Sequence, residues 1–173
     1  LAAALATACA PPAPPAKEPP AVPLPAAMLD AGAGLKSATS VVFIEGPAAD
    51  AEGNVYFTEI TGNRILKYAP GDNWTEFRNP SRRANGLAFD PEGRLVACEG
   101  AAPGGGRQVT RTDMATGKIT VLADEYEKFP LAAPNDLALL KSGTLFFTSR
   151  PGNPDPTKGN PNAVYQLDLG TKL

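Results

Sequence analysis

Three oxygen-bearing side chains, Glu45, Asn85 and Asn135, stand at the first position of three gapless copies of one segment. The copies read EGPAADAEGNVYFTE (Glu45 to Glu59), NGLAFDPEGRLVACE (Asn85 to Glu99) and NDLALLKSGTLFFTS (Asn135 to Ser149). One carboxylate and two amide oxygens at an equivalent position are the donors of a flexible cage for a hard cation, Ca²⁺ or another divalent ion such as Mg²⁺. Histidine is absent from the whole chain. That excludes Ser-His-Asp and Cys-His catalytic units within these residues, and any imidazole-held zinc. The two cysteines, Cys9 and Cys98, lie far apart in unlike contexts and form no metal pair. Cys98, inside the apolar run LVAC, reads as a small buried thiol.

Each copy is an apolar run, a Gly-centred turn and a second apolar run. The turn glycines fall at Gly53, Gly93 and Gly143, 40 and 50 residues apart, which is the period of propeller blades. Further strand-like runs follow each hairpin: Arg64 to Ala69 and Trp74 to Arg78, Arg107 to Thr112 and Lys118 to Ala123, then Ala163 to Leu169. Four antiparallel strands per repeat is the anatomy of a blade. The expected fold is therefore all-β, a partial β-propeller over residues 35–173 with blades at about 45–80, 85–124 and 135–173. A hairpin symmetric about its turn sets Glu45 opposite Glu59, Asn85 opposite Glu99 and Asn135 opposite Ser149. Two carboxylates so opposed need a cation or a shared proton. Three blades do not close a ring, so the chain reads as a fragment of a longer protein. Its open faces and edges predict poor solubility. The leading strand SATSVVFI (Ser37 to Ile44) has no partner in this reading.

The net charge of −2 gives no reason to expect a nucleic acid or anionic lipid partner. The start, LAAALATACAPPAPP, reads over residues 1–10 as the remnant of an export signal or a loose lipobox, with Cys9 as a lipid-modified first residue. On that reading the protein is exported, periplasmic or anchored in the bacterial envelope, and a lipid on Cys9 is its only link to a membrane. Residues 11–34 form a Pro/Ala-rich linker, with eight prolines between Pro11 and Pro25, an extended segment that does not pack. The glycines of PGGGRQ (Pro103 to Gln108) open a strand, not a helix, which argues against a phosphate loop. Arg82 and Arg83 stand three and two residues before Asn85, within reach of an anionic substrate. The long loop from Ser149 to Asn162 is placed to act as a lid.

The motifs FIEGPAADAEGNVYFTEITGNRILKYAPG, RRANGLAFDPEGRLVACEG with RQVTRTD, VLADEYE, and APNDLALLKSGTLFFTS are ordered and spaced as in one family. Over Val41 to Leu169 the chain resembles the senescence-marker-protein/gluconolactonase/luciferin-regenerating-enzyme family, above all its bacterial gluconolactonase branch. The resemblance implies a six-bladed β-propeller with one divalent cation, usually calcium, in the central channel, and hydrolysis of sugar lactones or related esters. It implies that Glu45 is the metal-binding glutamate and Asn135 the asparagine at the metal or substrate. Asn85, Arg83, Glu99 and Glu59 would then orient the lactone or sugar-acid substrate. The remaining asparagine and the aspartate proposed as general base belong to later blades that this chain lacks. Gly100 replaces the branch's usual histidine, Ser149 the aspartate of FTD, and Glu59 an aspartate of the first hairpin. The expectation is a calcium-dependent lactone hydrolase, inactive as this fragment alone. The alternatives are a non-catalytic propeller that binds a ligand or protein around a structural metal, and phosphotriester hydrolysis at the same metal.

Overall fold

A computed structural model describes residues 43–71, 73–150 and 163–169, and every regular element among them is a β-strand. The export-signal reading of residues 1–10, the lipid anchor at Cys9, the 11–34 linker and most of the 149–162 loop lie outside the described residues. Strands β1 (Ile44–Ala49), β2 (Val55–Glu59), β3 (Arg64–Ala69) and β4 (Asn73–Arg78) form a four-stranded antiparallel meander in chain order. Strands β5 (Ala84–Phe89), β6 (Leu95–Glu99), β7 (Gln108–Thr112) and β8 (Ile119–Ala123) form a second. A short hairpin, β9 (Glu125–Tyr126) with β10 (Phe129–Pro130), follows. The third sheet has β11 (Pro134–Leu139), β12 (Thr144–Ser149) and β13 (Ala163–Asp168).

The hairpin turns explain why the copies align without gaps. Asp50 Oδ1 accepts from the backbone N–H groups of Glu52 (3.1 Å) and Asn54 (2.8 Å). Asp90 Oδ1 accepts in the same way from Glu92 (3.1 Å) and Arg94 (2.8 Å). These are side-chain-capped turns. Gly53 and Gly93, at φ +82° and +74°, hold the left-handed position each turn requires.

Side-chain alternation then builds two cores. Tyr56 and Ile65 of the first sheet pack on Ala84, Leu87, Leu95 and Ala97 of the second. The Tyr56 ring meets Phe77 at 5.0 Å and Phe89 at 5.2 Å, both edge-on. On the other side of the second sheet, Val96, Cys98 and Val109 pack on Leu145 and Phe147 of the third, with Leu131 filling the gap. Strand β6 is covered on both faces, which is why LVAC is uniformly apolar instead of alternating. Cys98 is fully buried, as expected. Burial pushes its thiol pKa up, with the Asp136 and Glu99 charges adding, so it stays a neutral packing group.

The symmetric hairpin register is not observed. Ile44 faces Glu59 and Glu45 faces Thr58, but beyond a bulge Ala48 faces Tyr56. The same shift recurs between Ala84 and Leu87, and between Pro134 and Leu137. Glu99 is therefore opposed by Ala84, and Ser149 by Pro134. The predicted facing pairs Glu45/Glu59, Asn85/Glu99 and Asn135/Ser149 do not form. An extra bulge residue moves the pairing by one, and a one-residue slip transfers a side chain to the other face. Glu45 and Glu59 thus project from opposite faces and exert no direct carboxylate repulsion. Of the leading strand Ser37 to Ile44, residues 37–42 lie outside the described residues. Ile60 N–H donates to Phe43 O at 2.9 Å, so the chain from Phe43 onward already belongs to the first hairpin.

Candidate functional site

Glu45, Asn85 and Asn135 sit at the bulged starts of β1, β5 and β11. The bulges let these strands approach unusually closely. A Cβ added to Gly46 would collide with the Asn85 carbonyl oxygen. One added to Gly86 would lie 3.0 Å from the Asn135 carbonyl and closer still to Asp136. Gly46 also sits at φ +52°, a conformation that other residues adopt only with strain. This is the physical reason for Glu-Gly and Asn-Gly at the head of the first two copies.

Hydroxyl and thiol groups fasten this column. The buried Thr58 hydroxyl lies 3.1 Å from Glu45 O and 3.0 Å from Asn85 O, bridging the first two sheets. Cys98 Sγ lies 3.7 Å from Asp136 O, between the second and third. Thr148 Oγ1 accepts from Asp136 N–H at 3.0 Å. Sequence reasoning missed all three, although they share one repeat position next to the conspicuous Glu59, Glu99 and Ser149.

Asn85 Nδ2 donates to Asn135 Oδ1 at 3.2 Å, so two of the three expected oxygen donors touch. All three are half-buried. Among the described residues no arginine or lysine is paired with the Glu45 carboxylate. The described residues contain no cluster of three His, Cys, Asp or Glu side chains. What they offer is one carboxylate and two amides, an oxygen-only set that fits part of a hard cation's coordination sphere.

The residues expected to orient a substrate have partners within the protein. Glu59 is buried, and its carboxylate accepts from Gly62 N–H (2.9 Å to Oε2) and Arg64 Nε (3.2 Å). Glu99 is fully buried. Its Oε1 accepts from Arg78 Nη2 and Thr110 Oγ1 (2.9 Å). Its Oε2 accepts from Gln108 Nε2 (2.8 Å) and lies 3.1 Å from Arg82 Nε. Four donors fill the acceptor capacity of a carboxylate. Arg83 gives Nη1 to Ile60 O (2.7 Å) and Nε to Pro103 O (2.9 Å), clamping two loops together. Glu59, Glu99 and Arg83 thus each have partners inside the fold. The Arg82 side chain beside Glu99 is half exposed. Ser149 Oγ accepts from Ala133 N–H at 3.0 Å.

Residues 43–173 match the family model described as the SMP-30/Gluconolactonase/LRE-like region. A gluconolactonase of Zymomonas mobilis is 27% identical over 156 residues, spanning 79% of this chain and 43% of the relative. A solved gluconolactonase from Xanthomonas campestris superposes with a TM-score of 0.62 at 31% identity, covering 74% of this chain and 45% of that one. A calcium-binding regucalcin from Agrobacterium tumefaciens superposes with a TM-score of 0.57 at 19% identity, covering 78% and 43%. At that identity the likeness establishes the fold alone. The chain spans less than half the length of these relatives.

Proposed function

Because the chain belongs to the SMP-30/gluconolactonase/LRE-like family, we propose that it forms part of the cation site of a sugar-lactone hydrolase built as a six-bladed β-propeller. Its three sheets are three of the blades. Glu45 supplies negative charge to a bound Ca²⁺ and Asn135 a neutral oxygen. Asn85 is oriented by its hydrogen bond to Asn135. Its own carbonyl oxygen and second amide proton are left to position a sugar hydroxyl. Glu99 acts at one remove, by holding Arg82 at the rim.

A calcium ion held by Glu45 and Asn135 would supply Lewis-acid polarisation of the lactone carbonyl. In the reaction, water adds to the carbonyl carbon, the ring C–O bond breaks, and a hydroxy acid leaves. The carboxylate that takes the proton from water lies outside this chain.

One observation carries the reading. Glu59, Glu99 and Asp90 each hold an arginine, whereas Glu45 has none among the described residues and lies at the start of the strand beside the Asn85–Asn135 pair. The test is hydrolysis of an aldonolactone by the full-length protein, with and without a calcium chelator. Chelation or Glu45→Gln is expected to lower the rate about 10²-fold or more. An undiminished rate in chelator, or in a folded Glu45→Gln protein, rejects the proposal.

A further inference from the structure

Asn85 stands where the strand ladder is interrupted. The pairing of β5 with β6 passes from Ala84↔Glu99 to Leu87↔Ala97, with Asn85 and Gly86 in the irregular stretch between. A bulge breaks the regular ladder, so the placement of Asn85 depends on what holds the residues just before it. Two of these, Arg82 and Arg83, are consecutive non-glycine residues in the left-handed region, at φ +60° and +59°. Residues with a Cβ stay there only where the surroundings impose it, and they gather at functional sites.

One oxygen of the neighbouring sheet imposes it here. Asn63, in the turn between β2 and β3, is itself left-handed at φ +56°, which asparagine tolerates better than most residues. Its Oδ1 accepts from Arg83 N–H at 2.6 Å and from Ser81 Oγ at 3.0 Å. The buried Ser81 hydroxyl accepts in turn from Ala84 N–H at 3.3 Å. A single side-chain oxygen thus takes the N–H of Arg83 directly and that of Ala84 through a hydroxyl. These are the two residues before Asn85. Asn63 O also accepts from Ser81 N–H at 2.6 Å.

The other copies show what Asn63 replaces. Two residues before each head, a carbonyl accepts from the residue that follows the hairpin. Phe43 O accepts from Ile60 N–H, Arg83 O from Gly100 N–H and Ala133 O from Arg150 N–H, each at 2.9 Å. Before Asn135, the Ala133 N–H is taken within the hairpin by Ser149 Oγ at 3.0 Å. The second copy has Glu99 at the position of Ser149, and that carboxylate is filled by Arg78, Arg82, Gln108 and Thr110. The Arg83 N–H therefore turns to Asn63. We propose that Asn63 is a positioning residue, whose side-chain oxygen holds the strained Arg82–Arg83 pair and so sets Asn85 against Asn135 at the cation and sugar site. The placement stands on geometry, while its use in hydrolysis rests on the lactonase function proposed above.

The experiment compares two variants of the full-length protein. Asn63→Gly keeps the left-handed turn but removes the oxygen, whereas Asn63→Asp keeps both. With an aldonolactone as substrate, Asn63→Gly is expected to raise KM about tenfold, the size of one hydrogen bond to substrate, with kcat little changed. Asn63→Asp should restore the wild-type KM. In asparagine-labelled protein, the side-chain amide resonance of Asn85, identified by its loss in Asn85→Asp, should shift in Asn63→Gly and return in Asn63→Asp. A purely structural Asn63 would lower the melting temperature and leave KM and that resonance in place. A wild-type KM in folded Asn63→Gly, an Asn85 resonance that does not move, or an Asn63→Asp protein as impaired as Asn63→Gly overturns the proposal. Should Asn63→Gly fail to fold, Ser81→Ala, which cuts the relay to Ala84, takes its place, with smaller changes of the same sign expected. Should the wild-type protein leave the lactone intact, the lactonase function falls and the Asn85 resonance alone decides the placement.

Discussion

Glu45, Asn85 and Asn135 are half-buried, and the two amides bond to each other. One strand away, Glu59, Glu99 and Ser149 are 4%, 0% and 3% exposed, and each is satisfied by its own surroundings. Both columns are polar, both repeat in step, and both hold glutamates. They differ in what completes them. A carboxylate fully removed from water is tolerated only with cations and donors around it. Glu99 has two arginines, Gln108 and Thr110. Glu45 keeps some solvent and has no such partner among the described residues. On the proposed reading a cation completes the first column, while the second is completed by the protein itself.

The strongest way to break this comparison is to empty the closed column. Glu99→Ala leaves the buried Arg78 and its neighbour Arg82 without their counter-charge. Arg78 Nη1 already lacks a hydrogen-bond partner, so little is available to compensate. Removing one member of a buried ion pair typically destabilises by about 3–5 kcal/mol. A urea denaturation series should show a loss of that order. A loss below about 1 kcal/mol would mean that Glu99 is not the anchor the geometry makes it.

Glu45→Gln should behave in the opposite way. Without a cation, the change at a partly exposed site is expected to stay within about 0.5 kcal/mol. With calcium at a hundred times its dissociation constant, the wild-type protein gains about 2.7 kcal/mol, and the variant should lose most of it. The readout is the melting temperature of the full-length protein with calcium and with chelator. Equal responses in both proteins would remove Glu45 from the cation site.

How far the sequence discloses these two columns follows from the physics of each. Spacing alone places Glu45, Asn85 and Asn135 in equivalent positions, because a hairpin repeat keeps its register when its turns are the same. Strands such as Arg64–Ala69 and Ala163–Asp168 are equally plain, since alternation and turn residues mark them locally. The facing partners were misjudged because the bulges at Gly46, Gly86 and Asp136 add a residue that hairpin symmetry does not count. Nothing local joins Arg78 to Glu99 across 21 residues, so the partners of this buried carboxylate leave no sequence signal. The acceptors of Arg83 are likewise backbone carbonyls that carry no sequence signal.

Thr58 lies between the columns, and its replacement measures how tightly the open one is fastened. Thr58→Val keeps the shape but removes the hydroxyl shared by the Glu45 and Asn85 carbonyls. A buried hydrogen bond lost with its acceptors left unpaired should destabilise by about 1.5 kcal/mol. Calcium affinity should fall as well, because Glu45 and Asn85 are then less well held. Lower stability with unchanged affinity would confine Thr58 to packing.

The smallest effect comes from the far end of the same strands, where Asp50 provides a carboxylate held chiefly by hydrogen bonds. Burial by itself would raise its pKa. The Asn54 side chain, the backbone N–H groups of Asn54 and Glu52, and the Lys67 charge outweigh that and hold it below the ordinary aspartate value of 3.8. A group with its folded pKa lowered contributes stability above the unfolded value and loses it as pH falls through the folded one. Asp50→Ala should therefore destabilise by about 1 kcal/mol at neutral pH. The difference from wild type should shrink steadily below pH 3.8. Denaturation midpoints of both proteins from pH 7 down to pH 2 measure it. A difference that persists in acid would assign the loss to turn geometry, leaving Glu59 and Glu99, with their arginines, as the carboxylates whose charge holds the fold.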